Sequence, residues 1–228
     1  MDIILIGAPG AGKGTQATLL SQALAIRHIS SGDLFRKAFD DKAELALQTQ
    51  KYIDLGELVP DALTVSMVLS CIEEPQSTRG VLLDGYPRTL PQVQALDTAL
   101  QVNGREIDLA IYLPVPQGIL LKRLDGRLFC HAHQHIYHAR FKPPKVSGIC
   151  DLDGSQLYQR ADDKGEPLRR RLLIFFTETP QLLDHYRAQK KLREIDGNQS
   201  IELVQKAILH QINEYSREKN TDIKEITL

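Results

Sequence analysis

Gly7-Ala8-Pro9-Gly10-Ala11-Gly12-Lys13-Gly14-Thr15 decides the fold of this chain. Directly before it, Ile3-Ile4-Leu5-Ile6 is a short β-branched run with the composition of a buried parallel strand. Directly after it, residues from Gln16 to Ala25 read as a helix, with Leu20, Ala23 and Leu24 at helical spacing. Strand, glycine turn, lysine and helix in this order make a phosphate cradle. The glycines let backbone N–H groups converge on an anion without Cβ obstruction. The helix N-terminus adds partial positive charge, and Lys13 reaches the outer phosphates.

The turn departs from the common P-loop pattern at one place. Gly14, rather than serine or threonine, follows the lysine, and Thr15 lies one position on. Mg²⁺ is therefore expected to be held mainly by phosphate oxygens and water.

The chain of 228 residues, 42% hydrophobic and 25% charged, suits one large domain or one domain with small insertions. A net charge of −1 argues against a general nucleic-acid or membrane surface. No apolar run approaches the ~18 residues of a membrane span. Met1-Asp2-Ile3 enters the first strand at once, without a signal peptide, so a cytoplasmic protein is expected. Cys71, Cys130 and Cys150 make no disulfide framework, and Cys71 reads as a small core residue.

Arg27 to Ser30 reads as a strand, and Ser30-Ser31-Gly32-Asp33 as a helix start. Leu34, Phe35 and Arg36 open that helix; another is expected from about Lys42 to Leu55, stopped by Gly56. This pair has few large apolar residues and reads as a small flap. Asp61 is expected to cap a helix carrying Val65, Val68, Leu69 and Ile72 on one face. Val81 to Leu83 reads as a buried strand ending in Asp84, and open α/β sheets bind ligands beyond such strand ends. An aspartate there is placed to orient water on Mg²⁺. Arg88, after Gly85-Tyr86-Pro87, is placed to grip a phosphate with two N–H groups. Strands are expected at 108–113 and 192–195. Helices are expected at 115–124, at 167–189 with a kink or break at Pro180, and along Ile201, Val204, Ile208 and Ile212. Residues 127–163 differ in texture: four of the seven histidines lie between His131 and His138, and aromatics, glycines and Pro143-Pro144 point to short strands and turns.

In order along the chain stand G-A-P-G-A-G-K-G-T, D-G-Y-P-R-T from Asp84, R-L-D-G-R from Arg123, P-P-K-V-S-G from Pro143 and L-Y-Q-R-A-D-D from Leu157. Together they resemble the adenylate kinases, in their long bacterial form, over roughly Met1 to Ile212. The resemblance implies an α/β, P-loop-type, mainly parallel five-stranded sheet flanked by helices, with two small inserted domains. Residues 1–29, 60–126 and 164–228 would form the core, 30–59 a flap for AMP, and 127–163 a lid for ATP. It implies a Mg²⁺-dependent phosphotransferase, ATP + AMP ⇌ 2 ADP, that serves adenine nucleotide homeostasis. Its partners would be ATP, AMP and ADP, without nucleic acid or membrane, and it would be a monomer.

By match to the family motifs, the ATP site is expected at Gly10, Ala11, Gly12, Lys13, Gly14, Thr15, Arg123, Arg127 and Gln199. The AMP site is expected at Ser31, Arg36, Val59, Gly85, Arg88, Gln92, Arg160 and Arg171, with Gln92 and Ser31 reading the base. Lys13, Arg88, Arg127, Arg160 and Arg171 would carry the chemistry, and Asp84 would hold Mg²⁺ through water. Ser31 stands where the family commonly has threonine, and Leu128 where it has a second basic residue. Arg169 and Arg170 read as a solvated face. Bringing the site arginines together without ligand would be repulsive, which favours an open resting state.

The lid also carries C-x-x-H, sixteen residues, then C-x-x-D: Cys130, His133, Cys150 and Asp153. Two such knuckles fold toward one tetrahedral centre, and thiolate, imidazole and carboxylate are all zinc ligands. The pattern resembles zinc-lid adenylate kinases, whose ligands are four cysteines or three and an aspartate; His133 is the departure. His131, His135 and His138 compete with it, His135 foremost, and a metal-free lid held by hydrogen bonds is the alternative. A structural Zn²⁺ is expected.

Overall fold

The structure, a computed structural model, describes residues 1–40 and 44–219. Its centre is a five-stranded, all-parallel sheet of β1 (Ile3–Ile6), β2 (Arg27–Ser30), β3 (Val81–Asp84), β4 (Leu109–Tyr112) and β8 (Leu192–Glu194), in the order β2-β3-β1-β4-β8. Both faces are covered, as the unbroken apolar runs require. Ile3 and Leu5 of β1 pack on one side with Leu20 of α1 (Lys13–Leu24) and with Ile208 and Ile212 of α8 (Ile201–Glu218). Ile4 and Ile6 pack on the other with Val68 of α4 (Asp61–Glu73) and Leu96 of α5 (Leu90–Val102). The two-residue side-chain period of the strand thus divides one apolar run between two helical layers.

Strand ends place the site. In register, Asp84 lies beside Leu5 of β1 and Ser30 of β2, so its carboxylate is level with the start of the glycine turn. After β2 come α2 (Ser31–Asp40) and α3 (Glu44–Leu55); the expected helix start near Lys42 lies outside the described residues. Ser30 caps α2, its hydroxyl accepting from the Asp33 N–H at 3.3 Å. After α6 (Gln117–Leu124) comes a small antiparallel sheet of β5 (Arg127–Cys130), β6 (Ile136–His138) and β7 (Leu157–Tyr158), in the order β6-β5-β7.

Two local expectations are corrected. The helix around Pro180 runs without a break as α7 (Gly165–Ala188), with the proline inside it. Asp61 is the first residue of α4 and bonds elsewhere, and Pro60 occupies the cap position without a side-chain bond. The polar tail from residue 220 lies outside the described residues.

Candidate active site

Lys13 opens α1 and folds back over the turn, its Nζ donating to Gly7 O at 2.7 Å and Ala8 O at 3.2 Å. Gly10 and Gly12 take positive φ, 84° and 95°, inside the turn. Burial pushes the Lys13 pKa down to about 8; Asp84 opposes that, while Arg88, Arg171 and Arg127 add to it. Asp84 borders the same turn: a Cβ on Gly14 would stand 3.6 Å from Asp84 Oδ2. Burial works against its charge, yet His28, Lys13 and Arg88 outweigh that and hold the carboxyl below the usual range. His28 Nε2 lies 3.8 Å from Asp84 Oδ2, too far for a hydrogen bond, and is buried without a partner. An ionised carboxylate and an orphaned ring nitrogen beside a phosphate cradle fit a hydrated Mg²⁺.

Ser31, Arg36, Val59, Gly85, Arg88, Gln92 and Arg171 line one cleft between α2, α3 and the end of β3. Gly85 O is its pivot, accepting from Ser31 Oγ at 2.7 Å and from Arg88 Nε at 2.6 Å. A side chain on Gly85 is disfavoured, because φ is +73° and its Cβ would sit 2.9 Å from Arg88 Nη2 and 3.0 Å from Ser31 Oγ, so both would have to shift. Gln92 is buried, and its amide is partly committed. Oε1 accepts from Arg88 N at 2.8 Å, and Nε2 donates to Asp61 Oδ1 at 2.7 Å. One N–H and one lone pair are left for a base. Asp61 also accepts from Thr89 at 2.9 Å, so it anchors the whole Arg88 turn; the sequence reading gave it only a capping role.

The arginines converge here from separate segments. Arg127 makes a two-bond pair with Asp163, at 2.8 and 2.6 Å. Arg171 bonds the same carboxylate at 2.9 Å and Asp162 at 2.8 Å. Asp163 is almost fully buried; burial opposes its charge, and Arg127, Arg171 and Arg160 hold it ionised. These two aspartates end the L-Y-Q-R-A-D-D string and received no role from sequence. Arg36 pairs with Asp33. Arg88 and Arg160 are both pushed down to about 10, by burial first; Arg171 adds to the first shift, and Arg36 and Arg127 to the second. Arg123 Nη1 donates to Gly197 O at 3.0 Å, which ties α6 to the exposed turn bearing Gln199. Arg169 is solvated as expected, whereas Arg170 pairs with Glu57 across to the α2–α3 segment.

A sequence model of the family described as adenylate kinase matches residues 5–191. An adenylate kinase of Staphylococcus aureus is 45% identical over 209 residues, 92% of this chain and 97% of the relative. That of Brevibacillus brevis is 46% identical over 204 residues, covering 90% and 95%. That of Streptomyces avermitilis is 46% identical over 190 residues, covering 83% and 86%. The chain belongs to the adenylate kinase family. It is a phosphotransferase that binds nucleotides, on the P-loop fold expected from its first fifteen residues. No helix among the described residues is long and apolar enough to cross a membrane.

This adenylate kinase family member gathers a second constellation in its small sheet. Ligand atoms of Cys130, His135, Cys150 and Asp153 all lie within 4.8 Å of one another. His135 Nδ1 is 3.5 Å from Cys130 Sγ, 3.3 Å from Cys150 Sγ and 3.1 Å from Asp153 Oδ2, and Cys130 Sγ is 3.1 Å from that oxygen. Zinc bonds of about 2.3 Å to sulfur and about 2.0 Å to nitrogen or oxygen, at tetrahedral angles, space ligand atoms by about 3.3–3.8 Å. The donor set fits zinc. Hydrogen bonding from Ser155, then His133 and Cys130, holds the Asp153 carboxyl far below its usual range. His133, expected in the second ligand position, is outside the group: its ring is exposed and, among the described residues, bonds Asp153 alone, at 3.0 Å, while its backbone N–H donates to Cys130 Sγ at 3.2 Å. The competing His135 takes its place, because it enters β6 and faces both sulfurs. Tyr137, unnoticed in sequence, backs the group with its hydroxyl 3.5 Å from Cys150 Sγ. Leu128 packs against this cluster, which accounts for an apolar residue there.

Proposed function

We propose that the chain is an ATP:AMP phosphotransferase, ATP + AMP ⇌ 2 ADP, acting in the cytoplasm as a monomer in adenine nucleotide homeostasis. The observation that carries this reading is the convergence of Arg36, Arg88 and Arg171 with Asp162 on the cleft beside the Lys13 turn. Such a reaction needs no covalent intermediate; it needs two polyanions aligned and charge spread over the transferred group. Gly10 to Thr15 cradle the ATP phosphates, Arg123 and the Gln199 turn flank its base, and Arg127 faces its phosphates. Ser31, Val59, Gly85 and Gln92 shape the AMP pocket, and Arg36 and Arg88 bind its phosphate. Arg160 and Arg171 sit between the two nucleotides, and Lys13 follows the migrating charge. Mg²⁺, held through water by Asp84, neutralises charge on the phosphate oxygens.

Residues 30–59 close on AMP and 127–163 on ATP, over a core of 1–29, 60–126 and 164–228; closure excludes water as a wasteful acceptor. Cys130, His135, Cys150 and Asp153 hold a structural Zn²⁺, which stabilises the lid away from the phosphates. The test is acceptor choice. With ATP and Mg²⁺, AMP is turned over well ahead of GMP, CMP and UMP, since a pocket built on hydrogen bonds rejects bases that leave them unpaired. UMP turned over as efficiently as AMP contradicts the assignment.

A further inference from the structure

Gln134 lies in the turn between β5 and β6, flanked by His133 and His135, and takes the left-handed conformation at φ 57°. Side chains other than glycine are uncommon there, and the position costs backbone energy. The turn itself is closed by backbone bonds, Gln134 N to Cys130 O at 3.1 Å and Cys130 N to His135 O at 3.0 Å, and neither needs a glutamine. The side chain has another use. Its Oε1 accepts from Arg160 Nη2 at 2.9 Å and from Tyr158 OH at 3.2 Å. Tyr158 is braced by His131, stacked on it at 4.2 Å.

Arg160 depends on this acceptor. Its guanidinium carbon lies 3.4 Å over the Phe129 ring, and its Nε is buried without a partner. Among the described residues, Gln134 Oε1 is the one hydrogen-bond acceptor it meets. The contrast with its neighbours is chemical. Arg127 and Arg171 are held by carboxylates, which offset part of their charge, whereas Arg160 is held by a neutral amide and a ring face. A neutral acceptor fixes direction without bonding the charge to a carboxylate, although Asp162 and Asp163 act on it from farther off.

We propose that Gln134 is a positioning residue for Arg160, aiming a guanidinium with no carboxylate bonded to it at the transferred phosphoryl group from within the β5–β6 turn that forms the first lid knuckle. This rests on the role given to Arg160 above. The experiment compares Gln134→Gly, Gln134→Glu, Arg160→Ala and the Gln134→Gly/Arg160→Ala double variant in the full chain. It measures kcat, both KM values, zinc content and melting temperature.

Gln134→Gly is expected to lower kcat about tenfold with KM values within about twofold. Its zinc content stays at the wild-type level, and its melting temperature holds or rises, because glycine relieves the left-handed strain. Stability and activity thus move apart, which a merely structural residue would not show. Gln134→Glu is expected to lower kcat too, since a carboxylate anchors Arg160 but offsets its charge. The double variant is expected to be no slower than Arg160→Ala, as for two residues acting through one group. Wild-type kcat in Gln134→Gly, with Arg160→Ala impaired, overturns the proposal and leaves the function standing. Loss of zinc and of melting temperature in Gln134→Gly also overturns it, in favour of a structural role. A fully active Arg160→Ala removes Arg160 from the reaction, and the proposal with it.

Discussion

Arg88 has its backbone and its side chain both fixed: its N–H donates to Gln92 Oε1 and its Nε to Gly85 O. The rest of the guanidinium faces the cleft it shares with Arg36 and Arg171. Arg88→Ala is expected to lower kcat by about two to four orders of magnitude, as for other arginines that stabilise phosphoryl-transfer charge, with little change in melting temperature. Near-normal turnover would remove it from the site. Lys13 gives a pH signature. Its pKa of about 8 in the ligand-free protein is set by burial and by neighbouring arginines, and a bound triphosphate raises it again. Between about pH 8 and 10 the free lysine has lost the proton that the complex retains, so binding takes one up. Calorimetry at pH 9, in buffers of different ionisation enthalpy, is expected to show uptake of ~0.9 proton per chain, falling toward zero below pH 7. Buffer-independent heats at pH 9 contradict that placement of Lys13. Both residues were legible because their surroundings are built by adjacent sequence. Asp61 and Asp163 were not, since Thr89 lies 28 residues from the one and Arg127 36 residues from the other, and only folding brings these pairs together.

At the scale of elements, short apolar runs, helical spacing and turn residues located the sheet strands and most helices to within a few residues, because each is a local pattern. Of the kink or break expected at Pro180, the break is absent, because a proline breaks a helix only when the surroundings do not hold it. Here Thr179 and Leu182 on either side are buried against the body of the protein. The small antiparallel sheet shows the same limit more sharply. Spacing alone identified two knuckles and both cysteines, but the conformation of the β5–β6 turn decides which histidine ring faces the sulfurs. Cys130→Ser is therefore expected to lose bound zinc and to lower the melting temperature while leaving residual activity. His135→Ala is expected to behave similarly, whereas His133→Ala retains close to one zinc per chain by elemental analysis. Retention by His135→Ala and loss by His133→Ala would reverse the ligand assignment.

Across the whole molecule, a parallel sheet presents its strand ends to one side, and the α2–α3 segment and the small antiparallel sheet carry further cations. Lys13, Arg36, Arg88, Arg127, Arg160 and Arg171 come from the first helix, both of these regions and α7 as well as the end of β3, and several depress one another's pKa. Such an arrangement is electrostatically costly without anions and favourable with two nucleotides in place, so on the function proposed above closure would be coupled to the presence of both substrates. The same coupling separates a phosphotransferase from a nucleotide hydrolase: ATP alone should not be consumed. The direct measurement follows ATP, AMP and ADP by ³¹P NMR or chromatography in the presence of Mg²⁺. The account predicts two ADP formed for each ATP and each AMP lost, no inorganic phosphate, and negligible ATP loss when AMP is left out. ADP appearing with phosphate in equal amounts and independently of AMP would contradict it.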